Sequence, residues 1–190
     1  MAKRAVSGAE TTILATLDRA VRRKAVLGAI DARVVRLERK LASRPGAQMV
    51  WDTLPLALFG TVLPGEVRSG WVFILRAGAT TGAERHPNSH QRTVSYRGTG
   101  DLQVLVGGRW RSHALASGLD APVQRRWASI PPNTWHQVVV GERNWVVVSF
   151  HTATADSLIE ERPHPADPES SLRRRYLEAG PGRGRGEQAT

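Results

Sequence analysis

Two hydrophobic periods divide the chain. Over residues 10–43 apolar side chains recur at steps of three and four, with Leu27, Ile30, Val34, Leu37 and Leu41 on one seam. Arg33, Arg36, Arg39 and Lys40 fall mostly off that seam. Proline is absent here, Gly28 is the lone glycine, and good helix formers dominate. The pattern predicts one long helix, stopped by Ser43-Arg44-Pro45-Gly46. Its seam is expected to pack on the rest of the protein or on a second copy of the chain.

From about residue 47 to 152 the texture changes to short β-type runs separated by Gly, Pro and Asn. The runs 48–52, 57–62, 70–76, 92–98, 101–106, 126–130, 136–140 and 144–150 predict an all-β sandwich or barrel. Residues 98–101 (GTGD) and 106–110 (VGGRW) read as hairpin turns. Along 144–151, Val146, Val148 and Phe150 share one face, and Trp145, Val147, Ser149 and His151 the other. Both faces are mostly apolar, as suits a strand between a barrel interior and covering elements. Beyond 152 a short helix is expected around 168–178, and the Gly- and Arg-rich last dozen residues should be disordered. The expected division is a basic helix over 1–46, a barrel over 47–152 and an extension over 153–190.

At 190 residues the chain is long enough for one domain with a real core plus extensions. It has no cysteine, which removes disulfides, thiolate metal sites and cysteine nucleophiles, and leaves His, Asp and Glu as ligands. No apolar run approaches the length of a membrane span. The N-terminus lacks the apolar core of a signal peptide, so a cytoplasmic protein is expected. The net charge of +10 is unevenly placed: residues 1–45 hold eleven Lys/Arg against four Asp/Glu, and 46–160 hold ten against eight. A nucleic-acid role would therefore rest on the first helix and the short RGRG tail, and is not expected of the barrel.

Candidate chemistry gathers in two places, GATTGAERHPNSHQRTVSYRG at 78–98 and IPPNTWH at 130–136. In a strand, Glu84 and His86 project from one face and Arg85 from the other. After the turn at 87–89, either His90 or Gln91 faces the same cavity, and His136 opens the strand HQVVV. Two imidazoles and a carboxylate form a facial set that leaves positions open on Fe(II), and that also serves Mn, Ni or Zn. His113 and His151 are expected in supporting or packing roles, and His164 in a solvated tail. Tyr96, Trp127 and Trp145 are expected in the core. Arg76, Arg92, Arg97 and Arg111 are expected at the surface, unless one faces inward to clamp an anion.

At these residues the chain resembles the cupin superfamily. That family's first motif reads Gly, five residues, His-x-His, three or four residues, Glu, six residues, Gly. Here Gly78, Glu84-Arg85-His86, Gln91 and Gly98 keep the spacing, with Glu84 in place of the first His and Gln91 in place of the Glu. The second motif, Pro-x-Gly-x-x-His, is matched by residues 131–136 with Asn133 in place of Gly, and Val140 stands where a final Asn is usual. The resemblance covers about residues 55–152 and implies a double-stranded β-helix, or jelly-roll barrel. It implies a divalent metal, Fe(II) favoured, held by Glu84, His86 and His136, with Gln91 (or His90 as substitute) completing the set. The function so implied is a mononuclear metal enzyme, of oxygenase type, acting on a small molecule. The alternative is a non-catalytic cupin that binds a small molecule as a sensor or scaffold. Pairing of two barrels into a homodimer is expected.

Overall fold

The computed structural model describes residues 7–118 and 120–179. The first apolar stripe folds as two helices. α1 (Gly8–Val21) starts at Ser7, whose side chain accepts the N–H of Glu10 at 3.2 Å, and α2 (Lys24–Ala42) follows. The buried positions run Leu14, Leu17, Val21, then Val26, Ile30, Val34, Leu37 and Leu41. The step from Val21 to Val26 is too long for one continuous helical face. Extended Arg23 (φ −64°, ψ 133°) breaks the helix and re-phases the stripe, which corrects the single helix expected over 10–43. The seam is buried against the chain's own barrel.

Among the described residues eleven strands follow: β1 (Met49–Leu54), β2 (Ser69–Leu75), β3 (Gln91–Arg97), β4 (Thr99–Val106), β5 (Arg109–Arg111), β6 (Ala114–Ala116), β7 (Trp127–Ile130), β8 (His136–Val140), β9 (Trp145–His151), β10 (Ile159–His164) and β11 (Asp167–Arg175). A single helical turn, α3 (Val123–Arg126), precedes β7. The first sheet has the antiparallel order β1-β2-β9-β3-β7. In the second, β4 pairs with β8, and also with β5 and β6. The two sheets form a jelly-roll barrel.

Strand alternation splits the core in two. Val72, Ile74, Val94, Val146, Val148 and Phe150 point outward from the first sheet into a cluster with α1 and α2. Trp71, Phe73, Leu75, Trp145 and Val147 point inward into the barrel. Both faces of β2 and β9 are therefore buried. Burial of this kind contributes about 25 cal/mol per Å² of apolar surface, so the helices are part of the barrel's stability.

Three further expectations are corrected. Residues 57–62 lie in a 3-10 segment (Leu56–Val62) kinked at Gly60, with Phe59 packed on Phe150 at 5.3 Å. Residues 98–101 are a corner at which the chain leaves the first sheet for the second; Gly98 has φ +87°, and a Cβ there would meet the carbonyl of Asn144 at 3.0 Å. Residues 167–175 form β11, followed by a 3-10 turn (Tyr176–Ala179), in place of a helix. The pairing of Glu160 with Arg174 and Glu161 with Arg173 across β10 and β11 sets opposite charges side by side, which favours the hairpin. The disorder expected of the last dozen residues concerns, from residue 180 on, positions outside those described. Among the described residues no helix is long and apolar enough to cross a membrane.

Candidate metal centre

Residues 79–86 run beside β8. Glu84 and His136 exchange two backbone hydrogen bonds of 2.8 Å. On the other side, Arg85 and Glu161 exchange two of 2.9 Å, so β10 and β11 continue the second sheet past the first motif. The alternation of this strand then decides which side chains enter the barrel. Arg85 points out, pairs with Glu161 at 2.7 Å and lies 4.5 Å over the Trp135 ring. Glu84 and His86 point in.

The second motif delivers His136 opposite them. Asn133 adopts φ +62°, the left-handed conformation in which Asn replaces Gly at small cost. The N–H of Asn133 donates to the carbonyl of His86 at 3.0 Å, tying the two motifs together. Among the described residues Glu84, His86 and His136 form a group whose ligand atoms all lie within 4.8 Å of one another.

Both imidazoles are held in the tautomer that a metal ligand needs. His86 Nδ1 lies 2.8 Å from the carbonyl of Ile159, and His136 Nδ1 lies 3.0 Å from that of Thr134. A carbonyl only accepts, so each Nδ1 carries the proton and each Nε2 offers a lone pair. His136 Nε2 is buried without a hydrogen-bond partner, 3.5 Å from Glu84 Oε1. A lone pair and a carboxylate oxygen facing each other in a buried site call for a cation or a proton between them. The donor set therefore fits a divalent metal ion.

Burial alone would raise the Glu84 carboxyl, but the neighbouring His136 and the Arg162 guanidinium outweigh it and hold the carboxyl well below its usual range. Glu84 is thus ionised. His86 is lowered to about 4, chiefly by burial, so it is neutral at physiological pH. His151 is likewise pushed well below 6.5, chiefly by burial and then by the other two rings.

Gln91 and His90 go to opposite sides of the first sheet. Gln91 points inward; its Nε2 donates to Thr93 Oγ1 at 3.0 Å, and its Oε1 is buried without a partner. His90 faces α1, with Nε2 2.8 Å from Ser129 Oγ and 3.8 Å from Glu10. The alternative that placed His90 at the metal is corrected, because residue 90 shares the outward parity of Arg92 and Val94. Arg92 is buried under α1 between Glu10 and Glu66, each at 2.7 Å, and so is not at the surface as expected.

Two side chains at the site, Tyr176 and Arg162, were not expected there, and a third, His151, was expected in a supporting role. Tyr176, from the turn after β11, packs 5.8 Å from the His86 ring and 5.3 Å from Trp71. Arg162, from β10, pairs with Glu84 and with Glu160. His151 stands 5.2 Å from the His86 ring and lines the same cavity. The alternation of 144–151 had already put His151 on the inward face. Tyr176 was hidden by the helix expected around 168–178, and Arg162 lies in a segment for which no strand was expected.

The cavity so enclosed measures about 40 Å³ and is lined by Glu84, His86, Gln91, His136, His151 and Tyr176, with apolar walls from Phe73, Leu102, Trp145 and Val147. At roughly 10–15 Å³ per water centre, it holds a few waters, or an ion with a small ligand.

The strand order is that of an antiparallel jelly-roll barrel, and the two motifs lie on neighbouring strands of its second sheet. No model of a known family matches the sequence, and no curated protein matches it. Similar solved structures include a pumpkin seed globulin, at 18% identity over 63% of this chain and 29% of that one, with a TM-score of 0.47. An oxalate oxidase in complex with the substrate analogue glycolate matches at 19% over 58% and 53%, with a TM-score of 0.44. The oxalate decarboxylase formate complex of Lactobacillus farciminis matches at 13% over 54% and 28%, with a TM-score of 0.41. The chain spans about half or less of the length of these proteins, and at such identities the likeness concerns the fold alone.

Proposed function

We propose that the chain is a metal-dependent cupin enzyme, a mononuclear non-haem oxygenase acting on a small molecule. Glu84, His86 and His136 would hold the ion, with Gln91 Oε1 completing the set; Fe(II) is favoured, and Mn, Ni and Zn suit the same donors. The observation that carries the reading is the buried His136 Nε2, left without a partner and facing Glu84 Oε1 at 3.5 Å. A bound ion of this kind supplies a Lewis acid and, as iron, one-electron chemistry with dioxygen. The chain's own residues do the rest. Backbone carbonyls at Ile159 and Thr134 fix the rings, and Arg162 fixes the carboxylate. Phe73, Trp145, Val147 and Tyr176 keep bulk water out, and the small cavity limits the substrate to a few heavy atoms. Homodimer formation is part of the same proposal, and sedimentation of the purified protein measures it.

Elemental analysis tests the reading. Purified protein should carry a divalent metal near one per chain, and E84A, H86A and H136A should each lose most of it. Oxygen consumption with candidate small substrates, compared with anaerobic controls, then tests the oxygenase assignment. Unchanged metal content in all three variants would sink the idea.

A second reading, a non-catalytic small-molecule binder, is favoured by one specific observation: Arg162 already neutralises Glu84. It predicts protein free of stoichiometric metal, and a small ligand that raises Tm in chelator-treated buffer.

A further inference from the structure

We propose that Arg162 is the resident counter-ion of the metal centre, a guanidinium that competes with a divalent cation for Glu84 and so sets how tightly metal binds. This rests on the metal reading above. One nitrogen, Arg162 Nη2, contacts Glu84 Oε2 at 2.5 Å and Glu160 Oε1 at 2.7 Å. Arg162 Nε also donates to Glu160 Oε1 at 2.7 Å, and Nη1 to the carbonyl of Thr81 at 2.8 Å. The guanidinium is therefore pinned at three groups and does not swing aside when an ion enters. Glu160 is 1% exposed, and its second oxygen accepts from Arg174 Nε at 2.6 Å.

Two buried carboxylates thus meet on one cation. With Arg162 on both carboxylates and Arg174 on Glu160, the pair is balanced, and a divalent ion joining Glu84 arrives beside a positive charge already in place. Without Arg162, Glu84 and Glu160 lose their shared partner, and uncompensated like charges in a buried site are costly. A divalent cation at Glu84 relieves that cost. The device keeps the metal-free fold intact and makes the ion exchangeable. A positioning role alone, in which Arg162 only orients Glu84, predicts the opposite sign, because loss of an orienting partner weakens metal binding 10- to 100-fold.

The sign is what the experiment reads. Full-length protein is stripped with chelator and titrated with Mn²⁺, free Mn²⁺ being followed by electron paramagnetic resonance. R162M should bind Mn²⁺ at least about tenfold more tightly than wild type, and R162K, which keeps the charge, should stay within about threefold of it. Folded R162M that binds as weakly as wild type, or more weakly, overturns the proposal. Should R162M fail to fold, R162Q, which keeps a hydrogen-bond donor for the two carboxylates but no charge, decides by the same criterion. Absence of Mn²⁺ binding in every variant and in wild type removes the metal reading itself, and this inference with it.

Discussion

At the scale of single residues, burial sets the charge of two rings at the site. His86 and His151 stay neutral because burial disfavours their charged forms, and this has a consequence for the metal-free protein. The unfolded chain takes up a proton on each ring near pH 6.5, whereas folded His86 resists down to about 4. The unfolded state therefore binds more protons between those values, and stability must fall as pH drops through that window. For His86 alone the loss reaches roughly 3 kcal/mol by pH 4. Urea unfolding of chelator-treated protein at a series of pH values checks this; a midpoint unchanged from pH 7 to 4 would refute it. The convergence of Glu84, His86 and His136 was legible in the sequence because strand parity and motif spacing both constrain it. The choice between His90 and Gln91 was not, since the loop at 87–89 hides the parity of the strand that follows.

At the scale of elements, α1 is fastened to the barrel by buried charge. Asp18 accepts from Trp127 Nε1 at 2.8 Å and pairs with Arg126 at 2.6 Å and Arg22 at 3.0 Å. Asp18→Ala strands the buried Arg126 and leaves the Trp127 N–H without its acceptor. A loss of about 3 kcal/mol in urea unfolding is expected, with Asp18→Asn losing less because an acceptor remains. A loss below about 0.5 kcal/mol, the range of surface substitutions, would show that the anchor does not matter. The helices themselves were readable from their apolar steps, although the break needed the missed step between Val21 and Val26. The C-terminal hairpin was not readable. Leu172 and Tyr176, four residues apart, mimic a helical face, and what makes β11 a strand is its pairing with β10 in the preceding arm of the hairpin. The apolar spacing hides that partner, and the trace it leaves lies in charge, with Glu160 and Glu161 facing Arg174 and Arg173.

At the scale of the whole molecule, the barrel's first motif is flanked by β8 on one side and by the hairpin on the other. The hairpin brings Arg162 and Tyr176 to a centre whose candidate ligands lie at residues 84–136. A centre that is complete only when this hairpin docks should load differently before and after docking. Protein refolded from denaturant with Mn²⁺ present should reach full occupancy faster than folded, metal-free protein given the same Mn²⁺. Equal rates would show that the hairpin is no barrier. In the cell the same order is imposed by translation. Glu84 leaves the ribosome 78 residues ahead of Arg162, an interval of several seconds at about 5–20 residues per second. During those seconds the carboxylate has no guanidinium to answer to, and whichever ion is abundant beside the ribosome meets it first.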